Sequence, residues 1–170
     1  ISQAAMEQGN KVLFITLEMP INQMMRRIWT SLMGRPKRTK EITIPYFYKD
    51  NETDESWRID WLKEEREGFR PEREAINEWR NIYKKYFRSG DIKLASMPAK
   101  SVTVKDITNY IDNLEYFENW IPDVVVIDYA DLVGSKVKGE VRHQLDDIWS
   151  NFRRFALERN ICIVTASQSG

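Results

Sequence analysis

Apolar positions along this chain recur with two periods, and the change of period divides it into elements. The run KVLFITL, Lys11 to Leu17, is short and almost continuously apolar, which predicts a buried strand. Next come Ile21, Met24, Met25, Ile28, Trp29, Leu32 and Met33, a helical stripe behind Pro20 near the first turn. A second stripe of Ala75, Ile76, Trp79, Ile82, Tyr83, Tyr86 and Phe87 follows Pro71 and predicts a helix packed into the core. Ile92 to Ser96 predicts a strand, and Thr103-Val-Lys-Asp106 is a capping box opening a helix to about Phe117. In PDVVVIDYADLV, Pro122 to Val133, the aliphatic run Val124 to Ile127 predicts a strand buried on both faces. Val141, Leu145, Ile148, Trp149, Phe152, Phe155 and Ala156 align on a long helix, and ICIVTA, Ile161 to Ala166, predicts a last strand. The opening ISQAAMEQG predicts the last turns of a helix ended by Gly9. Residues 34–54, with Pro36 and Pro45, read as loop, and the acidic 55–68 as a short exposed helix.

Strands that alternate with helices imply an α/β domain with a parallel sheet covered on both faces. In such sheets ligands bind beyond the carboxyl ends of the strands. Three of the expected strands end there in polar groups: Glu18, Asp128 and Ser167-Gln168.

Composition narrows the partners. Twenty-six basic residues balance 26 acidic ones, so no global field draws the chain to nucleic acid or membrane, and such a contact must be a local patch. Six tryptophans within 42% hydrophobic residues point to a folded globule, and 170 residues suit one domain. A single cysteine, Cys162, permits no internal disulfide, which fits a reducing cytoplasmic setting. No apolar stretch approaches the roughly 18 residues of a membrane helix, and no signal peptide opens the sequence. The first residue is not Met, and the reading expects a piece of a longer protein.

The polar strand ends suggest a chemistry. An Asp at the end of a buried strand beside a phosphate site holds Mg²⁺ directly or through water. A neighbouring Glu orients or deprotonates an attacking water, and a Gln with donors and acceptor senses a terminal phosphate.

These residues lie in recognisable surroundings. VLFITLEMP followed by QMMRR resembles the segment after the first core helix in replicative hexameric helicases of the DnaB type. VVVIDYADLV resembles their Walker B strand, and RRFALERNICIVTASQ their fourth strand with its terminal Ser-Gln. The resemblance covers residues 1–33 and 91–170. It implies one partial RecA-like P-loop NTPase domain over 1–170, a largely parallel sheet flanked by helices, with a helical and loop insertion at about 34–90. It implies Glu18 as the water-activating acid, Asp128 as the Walker B aspartate near Mg²⁺, and Gln168 as the γ-phosphate sensor. ATP or another nucleoside triphosphate and Mg²⁺ are then the cofactors. Single-stranded DNA, a ring of like subunits such as a hexamer, and a primase or helicase loader are the partners. A viral or plasmid-borne parent fits this reading.

The chain departs from the family pattern at several positions. Thr16 stands where Ser is usual and Asp131 where Gln is typical, while residues 34–90 are longer and more aromatic. A GxxxxGK[ST] loop is expected before Ile1. Within the chain, Gly134-Ser-Lys-Val-Lys-Gly139 has the glycine spacing, but Glu140 and Val141 follow, and Glu140 repels phosphate. In RecA-like helicases a loop at this place faces the central channel, and Lys136, Lys138 and Arg142 suit a phosphate backbone read without sequence. A solvated turn is the plainer reading. His143 is expected at the surface, as is the basic cluster Arg35, Lys37, Arg38 and Lys40, and Arg26 and Arg27 lie at a surface or subunit contact. Two alternatives stand beside the helicase: a recombinase or KaiC-like ATPase on the same core, and a scaffold or loader-binding module that keeps the fold without nucleotide.

Overall fold

The computed structural model describes residues 1–34, 40–49, 57–66, 68, 73–87, 90–137 and 140–167. They fall into two compact units, Ile1–Arg27 with Ile82–Gly170, and Ile28–Asn81. In the first unit, α1 (Ser2–Glu7) leads into β1 (Lys11–Thr16), and α2 (Ile21–Met33) follows, with its residues from Ile28 onward assigned to the second unit. After the second unit and α3 (Arg73–Tyr86) come β4 (Asp91–Ser96), α4 (Val104–Glu118), β5 (Val124–Asp128), a 3-10 turn at Ala130–Leu132, α5 (Val141–Arg159) and β6 (Cys162–Thr165). The four strands form one parallel sheet in the order β4-β1-β5-β6.

Alternation along the strands decides what is buried. Leu13, Ile15, Val125 and Ile127 pack with Ile107, Ile111 and Leu114 of α4 and with Ile148, Phe152 and Phe155 of α5 in one continuous core. Val124 and Val126 are only half-buried. This corrects the expectation of a β5 buried on both faces: α4 and α5 close one side, and the other is covered in part. α1 lies against β1 and β5 with Met6 buried. It ends at Gly9, whose φ of 86° is the left-handed turn expected of a helix-ending glycine. A Cβ on Gly90 would sit 2.3 Å from the Met6 carbonyl oxygen, so that close approach requires glycine.

Asp123 ties the amino ends of three strands together. Its carboxylate accepts from the Lys11 N–H (2.7 Å), its own N–H donates to the Lys11 carbonyl, and its carbonyl accepts from the Cys162 N–H. At the same end, the Trp120 indole N–H donates to Asp91 (3.0 Å), and the Tyr83 hydroxyl donates to the Gly90 carbonyl (3.1 Å). Burial, then the nearby Asp91 charge, pushes the Tyr83 hydroxyl above its usual pKa. Of the described side chains in the predicted 75–87 stripe, Phe87 is buried and Ile82 and Tyr83 half-buried, while Ile76 is exposed. The stripe therefore enters the core at its carboxyl end.

The second unit overturns two expectations. The region read as loop contains β2 (Lys40–Lys49), and the region read as a short helix contains β3 (Trp57–Arg66). They pair antiparallel along ten residues each, Lys40 with Arg66 through Lys49 with Trp57. Pro45 and the acidic residues hid the period of two in Ile42, Ile44, Tyr46, Tyr48 and in Trp57, Ile59, Trp61. In a two-stranded ribbon every second N–H points away from the partner, so proline fits such a position. Pairing parity puts Pro45, Phe47 and Lys49 on one face with Trp61, Ile59 and Trp57. Phe47, Trp57 and Trp61 are each more than 60% exposed, and the Lys49 ammonium lies 5.5 Å from the Trp57 ring centre.

The capping box at α4 forms as expected. The Thr103 hydroxyl accepts from the Asp106 N–H, and the Asp106 carboxylate accepts from the Thr103 N–H (2.9 Å). The Thr103 side-chain and backbone bonds hold the Asp106 carboxyl below its usual pKa of 3.8. Thr103→Ala should lower unfolding free energy by about 1 kcal/mol, the usual cost of a lost N-cap, and urea titration measures it. Because the folded pKa is depressed, the Asp106 contribution is present above pH 3.8 and fades as pH falls through the folded value. The gap between wild type and Thr103→Ala should therefore narrow in acid. A gap independent of pH would remove the carboxylate from the cap.

Candidate functional site

Parallel pairing brings the carboxyl ends of all four strands to one edge. In the register, Thr16 stands beside Ser96 on one side and Asp128 on the other, and Ile127 stands beside Thr165. Backbone bonds carry this alignment past the strands: Leu17 N–H donates to the Asp128 carbonyl (3.1 Å) and Met97 N–H to the Thr16 carbonyl (3.0 Å).

Glu18 lies in a turn shaped by Thr16. The Thr16 hydroxyl is buried; it accepts from the Met19 N–H (3.0 Å) and donates to the Met19 carbonyl (3.2 Å). Ser96 Oγ donates to that same carbonyl from the neighbouring strand (3.4 Å). The turn folds over Thr16 and leaves Glu18 exposed. A serine at position 16 would keep the hydroxyl on which the turn depends. Sequence reading overlooked both Thr16 and Ser96 as site-shaping residues. The signal was present: a hydroxyl-bearing residue within an apolar strand needs a buried partner.

Asp128 ends β5 half-buried, and its carboxylate makes no hydrogen bond or ion pair among the described residues. The peptide bond to Tyr129 is cis. Asp131 follows on the 3-10 turn, where its carboxylate accepts from Ser167 Oγ (3.0 and 3.2 Å). The edge thus joins Glu18, Asp128, Asp131 and Ser167 on three adjacent strand ends. Gln168 lies outside the described residues.

The loop after the turn runs elsewhere. Gly134 N–H donates to the Val102 carbonyl (2.7 Å), and Ser135 Oγ donates to Asp147 on α5 (2.8 Å). This folds residues 134–137 against α4 and α5, where Lys136 lines a groove of about 570 Å³ with Lys105, Asn109, Asn151 and Arg154. Arg142 and His143 are exposed on the first turn of α5. Lys138 lies outside the described residues. The three cations expected to act together are therefore represented by Lys136 in the groove and Arg142 on the helix.

No protein-family model matches this chain. No characterised protein matches it by sequence. Its fold, however, is similar to a solved structure described as a DnaB-like replicative helicase and its interactions with primase. The TM-score is 0.59 at 14% identity, over 96% of this chain and 34% of that one. The likeness shows that the chain has the RecA-like α/β fold found in a DnaB-like helicase, and that it spans about a third of that protein's length.

The turn under Glu18 gives a stability test. Thr16→Val removes the hydroxyl but keeps the shape, leaving the Met19 N–H without its acceptor, and should cost about 1–3 kcal/mol. Thr16→Ser keeps the hydroxyl and loses one buried methyl, about 0.8 kcal/mol. Denaturant unfolding compares the two. A valine variant as stable as the serine variant would show that the hydroxyl does not hold this turn.

Proposed function

We propose that this chain forms the Walker B and sensor portion of a motor domain that hydrolyses ATP, or another nucleoside triphosphate, and moves along single-stranded DNA. The observation that carries the reading is the pair of carboxylates at one sheet edge. Asp128 is half-buried without a partner among the described residues, and Glu18 is exposed on the turn beyond the adjacent strand. A carboxylate sheltered from water is costly unless a charge meets it, and a hard divalent cation takes oxygen ligands of this kind. The fit supports Mg²⁺, held by Asp128 directly or through a bound water. The ion, when bound, offsets the negative charge of the terminal phosphates. Glu18 would orient or deprotonate the attacking water, and Gln168 would register the terminal phosphate. Phosphates also require backbone amides and a lysine. These 170 residues hold no GxxxxGK[ST] sequence, so in this reading that cradle comes from elsewhere in the protein.

The shared fold supports the choice of class. The similar structure was described with primase. A primase or loader contact, and self-association into a ring such as a hexamer, belong to the proposal for this protein. Lys136, Lys138 and Arg142 would follow the phosphate backbone of the DNA. The exposed aromatic face of the β2–β3 ribbon favours a second reading, a non-catalytic docking module on the same fold.

Substitutions in a full-length protein carrying a GxxxxGK[ST] loop separate these readings. Glu18→Gln keeps size and hydrogen bonding, so ATP should still bind while turnover falls about 10²-fold or more, the scale of general base catalysis. Asp128→Asn should weaken Mg²⁺-dependent nucleotide binding as well. Steady-state hydrolysis and calorimetry read both: turnover unchanged in Glu18→Gln would remove that residue from the mechanism, and a wild-type protein without nucleotide binding or turnover would leave the docking module.

A separate measurement addresses DNA. Replacing Lys136 and Lys138 with Ala should weaken single-strand binding about equally for different base sequences. It should also flatten the salt slope by roughly 0.7 per lost contact. ATP hydrolysis without DNA should persist. An unchanged affinity and salt slope would return these lysines to a solvated turn.

A further inference from the structure

We infer that Asp131 is a positioning residue that fixes Ser167 and, with it, the carboxyl end of β6. Its functional consequence rests on the nucleotide reading above. Three consecutive residues leaving β6 bond back toward β5 and the turn that follows it. Thr165 Oγ1 donates to the Ile127 carbonyl (2.9 Å), the Ala166 carbonyl accepts from Ala130 N–H (3.2 Å), and Ser167 Oγ donates to Asp131. β6 stands at the end of the strand order with β5 as its neighbour, and its ladder stops at Thr165. Beyond that point, Ser167 is exposed and gains no burial to hold it. What holds it is a hydroxyl bonded to both oxygens of a carboxylate, a charge-assisted bond stronger than a neutral one.

The acceptor itself stands on a firm base. Ala130 and Val133 on either side of Asp131 are buried, and Val133 N–H donates back to the Ala130 carbonyl (2.9 Å). Lys100 grips the turn from the β4–α4 connection: its N–H donates to the Leu132 carbonyl (2.6 Å) and its ammonium to the Asp131 carbonyl (2.5 Å). Lys100 holds a φ of 65°, a left-handed conformation that a lysine rarely adopts, and these two bonds favour it. The Asp131 main chain is thus anchored by Lys100 while its side chain reaches Ser167. On the nucleotide reading, Gln168, the next residue in sequence after Ser167, would tell a triphosphate from a diphosphate, so Asp131 governs this preference and leaves binding of the shared phosphates alone.

The test uses Asp131→Ala, Asp131→Asn, Ser167→Ala and the double alanine variant of the full-length protein, with ATP and ADP as probes. Asp131→Ala and Ser167→Ala should each lower the ATP-over-ADP affinity ratio about fivefold, the scale of one hydrogen bond, with ADP affinity and melting temperature unchanged. The double variant should lose no more than either single one, because both remove the same contact. Asp131→Asn retains an oxygen acceptor and should restore most of the ratio. Amide hydrogen exchange at position 167 should quicken in the alanine variants relative to the intrinsic rate of the residue present there, a readout that needs no nucleotide. Additive losses in the double variant, equal weakening of ATP and ADP, or unchanged exchange at position 167 would each overturn the inference. If Asp131→Ala does not fold, Ser167→Ala, an exposed position, decides the matter alone. A wild-type protein that binds neither nucleotide overturns the function proposed above instead, and the exchange rates then judge the Asp131–Ser167 contact by themselves.

Discussion

Parallel pairing of β1 with β5 matches Val12–Thr16 residue for residue with Val124–Asp128, and the arrangement of the carboxyl edge follows from that register. A slip of one residue in either strand would turn its inward pair, Leu13 and Ile15 or Val125 and Ile127, away from α4 and α5 and expose apolar side chains that are now almost wholly buried. Each such side chain contributes about 1.5–3 kcal/mol when fully buried, so the register is strongly enforced. Asp123 enforces it again at the amino ends, where one residue bonds to both Lys11 and Cys162. With both constraints in place, Thr16, Ser96 and Asp128 arrive at the same level with no adjustable loop between them.

Rigidity at the strand ends passes into the turns beyond them through polar contacts. The Thr16 hydroxyl shapes the turn that carries Glu18 and is itself buried, so its bonds form away from competing water. The turn after Asp128 is held by buried Ala130 and Val133 below and by Lys100 alongside. The proposed nucleotide edge would benefit from this construction, since groups held in place before a ligand arrives need no reorganisation when it binds.

The β2–β3 ribbon obeys different physics. Its ten-residue pairing is regular, yet Phe47, Trp57, Ile59 and Trp61 face solvent, and cross-strand contacts such as Phe47 with Ile59 supply its side-chain stabilisation. Two strands without a covering layer are marginal in water. The aromatic face is therefore an expensive surface to present. The parallel sheet achieves its order by burial, the ribbon by pairing alone.

Much of the first unit was legible from local pattern. The helical stripe of Met24 and its neighbours, the Thr103–Asp106 capping box and the apolar runs at Leu13 and Val125 each carry their structure within a few residues. Periodicity and capping are local properties. Glu18 and Asp128 were legible as strand-end acids for the same reason. The ribbon was not, because a proline and several acids masked its period of two, and only a partner strand reveals which N–H groups a proline leaves unneeded. Nor was the half-open face of β5, since continuous apolar runs carry no information about what covers each side. Pairs distant in sequence were hidden in the same way: Thr103 meets Gly134, Lys100 meets Asp131, and Asp131 meets Ser167 across 36 positions. The local chain chose the elements and the acids that end them. Which polar groups face one another was decided by the parallel register, because hydrogen bonds between strand ends exist only once the sheet has brought those ends together.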